Sequence, residues 1–358
     1  MIRPGCTHCS VSRHAARAPY PAAQVSLIQL LFWLVRAFRQ LDSRLHNPFH
    51  CVRTPMSDEL LCIGEILWDA LPEGLFLGGA PFNVARHLHT LGEDVVFVSR
   101  VGDDLLGAEA LRRLRAHGLD AEPVQIDDSL PTGFVRVRLV EATGEPDYDI
   151  LKPAAWDAIA LLDPLQRRSE QAEALIYGSL AQRAPPTRQT IQQLWEADVL
   201  RVFDVNLRPP FIDRDVIEAS LQAADVVKLN NDELRRMQEW FDLADGTEAA
   251  ISDLAETFAC RVVCVTWGSE GARLWSDGQQ WSHPGYTVDV ADTVGAGDAF
   301  LSALLSGLLA DHEGRRILNL ANRLGAYVAS RSGALPAYDV STLEDIEDLP
   351  LEENSQTK

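Results

Sequence analysis

Between residues 59 and 330, short apolar runs alternate with stretches whose apolar positions recur every three or four residues. The runs at 60–66, 95–101, 174–177, 200–205, 226–229 and 261–266 read as strands. Helical spacing appears over 83–91, 105–117, 187–197, 232–241, 297–310 and 314–330, with Gly118 closing the second of these. Residues 132–140 alternate and predict a β-ribbon turned at Gly144, and 272–275 with 280–281 predict an antiparallel edge. Strand–helix alternation of this kind predicts an α/β fold, a mostly parallel sheet covered on both faces. Ligands of such sheets sit outside the carboxyl ends of the strands. Polar clusters fall at four of those ends: Asp69, then 204–208, 230–233 and 266–271.

Composition narrows the class. The chain has 358 residues, 46% hydrophobic and 23% charged, the balance of a globular protein. Residues 1–57 hold seven Arg against one acid, a net of +6, so the other 301 residues carry −26. An acidic body argues against a nucleic-acid partner, because phosphate contacts need clustered cations. The apolar stretch near 25–38 is too short and too interrupted to span a bilayer, so no membrane role is expected. Residues 1–56 are read as an Arg-rich extension outside the fold, either a transit-like segment or an upstream misassignment with translation starting at Met56. A cytoplasmic protein is expected, organellar only if that segment is a genuine transit signal. The folded domain is expected over 57–343, and residues 344–358 are read as an acidic tail. Low lysine content fits either a GC-rich genome or adaptation to salt. The six cysteines suggest a reduced chain; Cys6 and Cys9 have metal-like spacing but no second pair.

The most informative chemistry lies in 291–300, Ala-Asp-Thr-Val-Gly-Ala-Gly-Asp-Ala-Phe, directly before an apolar helix. A small-residue turn entering a helix frees backbone N–H groups and aims the positive helix end outward, which suits a phosphate. The carboxylate of Asp298 would repel a merely bound anion, but it makes sense as a base that takes the proton of an attacking hydroxyl. Only three lysines occur, at 152, 228 and 358, and none follows a glycine, so a P-loop is excluded. Backbone and helix dipole are then expected to carry the phosphate.

The second landmark is Gly78-Gly79-Ala80-Pro81-Phe82-Asn83. Together with Asp292-Thr293-Val294-Gly295-Ala296-Gly297-Asp298 it resembles the paired signatures of the PfkB carbohydrate kinases over about residues 58–340. The resemblance implies a ribokinase-like three-layer sandwich with a small β-ribbon lid, its segments near 67–80 and 132–150. It implies an ATP- and Mg²⁺-dependent transfer to a sugar hydroxyl, with Asp298 as base and Gly295, Ala296 and Gly297 as the anion hole. Asn230 and Glu233 would organise Mg²⁺ through water, although Glu233 taken alone reads as a capping or solvated helix residue. Thr266, Gly268, Gly271, Gly297 and Asn322 would line the nucleotide site. Asp292, with backbone at Val294, Arg331 and Gly333, would hold a monovalent cation, K⁺ being the candidate. For the sugar, the resemblance implies Asp69, Gly79 and Asn83.

Arg136 and Arg138 share one face of the ribbon, which points either at the substrate or at solvent. Ribose kinases of the family carry lysine where Ala80 stands here. The segments 64–69, 178–180 and 204–210 resemble those of fructokinases, which would put Arg208 near the phosphate path. Fructose to fructose 6-phosphate is the leading expectation, with ribose or 2-keto-3-deoxygluconate as alternatives. A catalytically silent sugar-binding regulator is the alternative of another class, and the intact 295–298 quartet argues against it. The open lid edge suggests a homodimer.

Overall fold

The computed structural model describes residues 57–71, 74–139 and 146–339, and of 137–139 and 146–148 the backbone alone. The expectations for residues 1–56, the Gly144 turn, the Arg138 side chain and the acidic tail therefore lie outside the described residues.

The strands are, in chain order, β1 (Glu59–Ile63), β2 (Leu67–Leu71), β3 (Gly74–Gly78), β4 (Asp94–Gly102), β5 (Val124–Asp127), β6 (Gly133–Leu139) and β7 (Pro146–Ile150). They continue with β8 (Ala174–Gly178), β9 (Leu200–Asp204), β10 (Val226–Asn230), β11 (Val262–Thr266), β12 (Ala272–Ser276) and β13 (Gln279–His283). The helices are α1 (Ala80–Thr90), α2 (Leu105–Ala116), α3 (Asp163–Ser169), α4 (Pro185–Leu194) and α5 (Arg214–Ala223). After them come α6 (Asn231–Phe241), α7 (Thr247–Phe258), α8 (Ala296–Leu309) and α9 (Gly314–Ala329).

One sheet runs β13-β12-β11-β10-β9-β8-β1-β4-β5, parallel from β11 to β5, with β12 and β13 antiparallel at its edge. Side chains of successive strand residues point to opposite faces, and this sorts the interior into two cores. Leu61, Ile63, Val96, Val98, Leu175, Phe203, Val227 and Val263 bury against the α4, α5, α6 and α7 side. Leu60, Cys62, Val95, Phe97, Ala174, Ile176, Val202 and Val226 bury against α1, α8 and α9. The result is the expected three-layer sandwich.

A second sheet, β3-β2-β6-β7, is the expected lid. It corrects one detail: Asp69 does not follow the first strand but sits inside β2, opposite Phe76 of β3. The helix expected over 187–197 starts earlier, at Pro185, because proline suits a first turn whose N–H has no partner anyway. The described cysteines, Cys62, Cys260 and Cys264, are buried thiols.

The strand order reverses between β1 and β8. Strands later in the chain extend one way from β8, while β4 and β5 extend the other way from β1. The crevice at such a switch point is where an open α/β sheet takes its ligand.

Candidate active site

Two helix starts converge above that crevice. α1 opens at Gly79, whose φ of +118° favours glycine, and a Cβ there would collide with the carbonyl of Glu65. Pro81 in the first turn and the buried stripe Phe82, Val84, Ala85 and Leu88 fix the helix on the sheet. This delivers Asn83, itself buried, to the site. α8 opens at Gly295 (φ +78°), where a Cβ would come within 2.5 Å of Ala334. Its first turn presents Ala296, Gly297 and Asp298.

The two meet directly. Asn83 Nδ2 donates to Asp298 Oδ2 at 2.8 Å, joining the early and late signatures across 215 residues. Asp298 is buried, and burial pushes its carboxyl up to about 6; the nearby charge of Asp204 pushes the same way. The hydrogen bond from Asn83 and the charges of Lys228 and Arg208 offset part of that. A carboxylate with this balance is ionised at neutral pH yet basic enough to take a proton.

Asp69, on the lid sheet, feels the charge of the same Arg208. Burial raises it to about 6, against the charge of Arg208. A Cβ on Gly78 would come within 2.7 Å of Asp69 Oδ2, so the first glycine of the pair leaves room for this carboxylate. Arg208 is exposed at the end of the segment after β9, its Nη1 donating to the Leu207 carbonyl at 3.2 Å. Its charge reaches Glu65, Asp69 and Asp298.

Arg136 is not brought to this group. β2 and β6 pair Asp69 with Val135 and Ala70 with Arg136, so Arg136 projects from the opposite face of the lid sheet. It is exposed, and it pairs with Asp149 at 3.7 Å.

The nucleotide-side residues cluster at the next strand ends. Asn230 caps α6: its Oδ1 accepts from Glu233 N (2.9 Å), and Glu233 Oε2 accepts from Asn230 N (2.8 Å). Glu233 Oε1 also accepts from Leu207 N at 2.7 Å, tying the β9 loop to α6. Glu233 is therefore a buried capping residue as well as a candidate Mg²⁺ organiser, and each carboxylate oxygen has a further lone pair for a metal-bound water. Asn230 is the register partner of Thr266, which leads into the turn with Gly268 and Gly271. Asn322 is buried on α9, and its Nδ2 donates back to the Leu318 carbonyl at 2.7 Å. Asp292 Oδ1 accepts from Val294 N (3.0 Å) and Oδ2 from Gly333 N (3.1 Å), so three of the four candidate cation-site residues, all but Arg331, are joined directly.

Sequence reading missed Lys228. It stands in the middle of the buried strand β10, register partner of Asp204, and its Nζ donates to Asp204 Oδ1 at 3.1 Å. A Cβ on Gly297 would lie 3.2 Å from that Nζ, so the ammonium sits directly under the anion-hole turn. Burial alone would pull its acidity the other way, yet Asp204, Glu233 and Asp298 hold Lys228 firmly protonated. Beside the backbone and helix dipole expected to carry the phosphate, the structure thus places a buried ammonium. The signal was present, since lysine inside an otherwise apolar strand is rarely without a partner.

A glycine-led helix start beside a buried carboxylate is the equipment that a phosphotransferase acting on an alcohol would need. The family model for pfkB family carbohydrate kinases matches residues 73–339. The fructokinase of Escherichia coli is 33% identical over 306 residues, 79% of this chain and 96% of that protein. The ATP-dependent ribose-1-phosphate kinase of Halopiger xanaduensis is 36% identical over 261 residues, 73% of this chain and 82% of that one. The fructokinase of Vibrio cholerae, solved in a fructose, ADP and calcium ion bound form, superposes with a TM-score of 0.67 at 24% identity. That superposition covers 81% of this chain and 99% of the other. The chain belongs to the PfkB family of carbohydrate kinases and has the ribokinase-like fold.

Proposed function

We propose that this kinase phosphorylates free fructose at its 6-hydroxyl, using ATP with Mg²⁺. The observation that carries the reading is the Asn83–Asp298 pair, which holds a base in the first turn of the helix that opens at Gly295. Asp298 takes the hydroxyl proton as the oxygen attacks the γ-phosphorus, and the bond from that phosphorus to the β–γ bridging oxygen breaks, the electron pair leaving with ADP. The N–H groups of Gly295, Ala296 and Gly297, with Arg208 and the underlying Lys228, offset the charge of the phosphoryl in flight. Asn230 and Glu233 would hold Mg²⁺ through waters, where it would supply charge neutralisation for the ATP phosphates. Thr266, Gly268, Gly271 and Asn322 receive the nucleotide. Asp292, with carbonyls near Val294 and Gly333, takes a monovalent cation, K⁺ by preference. The kinase domain runs over 57–343, the protein acts in the cytoplasm, and two copies pair through their lids.

Acceptors dominate the sugar side: Asp69, Asn83 and Asp298, with Arg136 turned away. This favours a neutral polyol over a keto-acid. The likeness to a ribose-1-phosphate kinase keeps a sugar phosphate as the second reading, for which Arg208 would have to carry the extra charge. ADP release with MgATP over a panel of fructose, other hexoses, ribose, ribose 1-phosphate and 2-keto-3-deoxygluconate tests both. Turnover of fructose is expected. Turnover of a charged sugar with none of fructose would overturn the substrate and leave the mechanism. Asp298→Asn should lower kcat by roughly three orders of magnitude or more, and unchanged turnover would sink the mechanism.

A further inference from the structure

At the switch point between β1 and β8 a cavity is lined by Glu65, Ala80, Gly178, Ser179, Asp204 and Asn206, among others. Two carboxylate oxygens there are buried without a hydrogen-bond donor: Glu65 Oε2 and Asp204 Oδ2. Their situations differ. Asp204 has an ammonium on its other oxygen, at 3.1 Å from Lys228. Glu65 is 3% exposed and has no cation in contact among the described residues. Burial drives its carboxyl up to about 7; the N–H groups of Glu65 and Ala80 and the charge of Arg208 offset this in part, while Asp298 adds to it.

A buried acceptor with no donor destabilises the fold until something donates to it. The chain keeps such an oxygen in the cavity at the sheet's switch point, four residues before Asp69 and close enough to Asp298 to feel its charge. Asp298 is committed to the reacting hydroxyl and to Asn83. On the kinase reading above, the donors that enter this crevice are the remaining sugar hydroxyls.

We propose that Glu65 is a specificity-determining residue whose free Oε2 accepts a hydrogen bond from a sugar hydroxyl other than the one phosphorylated. The interaction selects a neutral polyol bearing a hydroxyl at that position and disfavours analogues that lack it. A resident water bridging Glu65 and Asp204 is the competing explanation of the same orphaned atoms.

The test pairs Glu65→Gln with single-deoxy and anhydro analogues of fructose. Glutamine keeps an oxygen for the backbone N–H groups but removes the charged acceptor. For the wild-type enzyme assayed at about pH 8, where a carboxyl near 7 is ionised, one analogue should lose about 10- to 100-fold in kcat/KM, the scale of a hydrogen bond to a charged group. In Glu65→Gln the KM for fructose should rise by a similar factor with kcat within a few-fold, and that one analogue should suffer little further loss. Equal analogue penalties in both enzymes would overturn the proposal and favour the bridging water. So would a drop in kcat at unchanged KM. Should Glu65→Gln fail to fold, Glu65→Asp is read in the same way. The wild-type series decides on its own as well, since no analogue losing even about 10-fold contradicts an acceptor at this position. Failure of the fructose reading is recognised separately, by wild-type enzyme that does not turn over fructose at all. The analogue series is then built on the neutral sugar that is turned over, and a charged sugar as sole substrate overturns the Glu65 assignment too.

Discussion

On the proposed mechanism, Asp298 serves as base because its surroundings disfavour its charge without abolishing it. Its folded pKa of about 6 lies above the ordinary value of 3.8, and only the ionised form can accept a proton. The rate should therefore be level above pH 7 and fall about tenfold per unit as the pH drops below about 6. A pH–rate profile of kcat checks this, and a rate undiminished at pH 5 would contradict it. Lys228 is one of the charges that keep Asp298 ionised. Lys228→Met should move the acidic limb upward by about one pH unit and lower kcat by about 10- to 100-fold, read from the same profile. Asp298, Asn83 and Asp69 were legible in the sequence because each falls in a motif whose chemistry has few other uses. Lys228 was not, because its meaning depends on Gly297, which lies 69 residues later and touches it only after folding.

Elements turn these residues into a site by where they begin. The apolar stripe of α8 was readable, and so was its small-residue entry. The strap that holds the entry was not: residues 333–338 return across it, placing Ala334 against Gly295 and stacking Tyr338 on His87 of α1. Tyr338 Oη lies 2.6 Å from His87 Nδ1, and the Ala334 carbonyl lies 3.0 Å from Nε2. The two helix starts that carry Asn83 and Asp298 are thus clamped by one segment. Gly295→Ala adds a methyl where Ala334 stands and forces a left-handed φ, costing about 1–2 kcal/mol from the backbone alone. It should lower kcat at least about 100-fold by displacing the N–H groups, with a modest fall in Tm; kinetics and thermal melting together check it. Helices α3, α5 and α7 escaped the pattern reading. In α5 the stripe is only Val216, Ile217 and Leu221, too sparse to stand out from a polar background.

At the scale of the molecule, one sheet covered on both faces carries the chemistry and a smaller sheet covers it. Edge strand β3 leaves Leu75 and Phe76 each 44% exposed. If two copies pair there, Phe76→Asp should convert a dimer to a monomer in sedimentation equilibrium; an unchanged mass would remove the lid as the interface. No helix among the described residues is long and apolar enough to cross a membrane. The sequence by itself determined the layer architecture, since buried strands and one-sided helices follow from local periodicity. It also determined the reaction class, since an anion-binding turn next to a carboxylate is a local pattern. Only the tertiary structure decided which strand ends share the crevice, that Arg136 faces away from Asp69, and that Glu65 and Lys228 stand beneath the base. Those facts depend on register, strand order and burial, which no window of neighbouring residues contains.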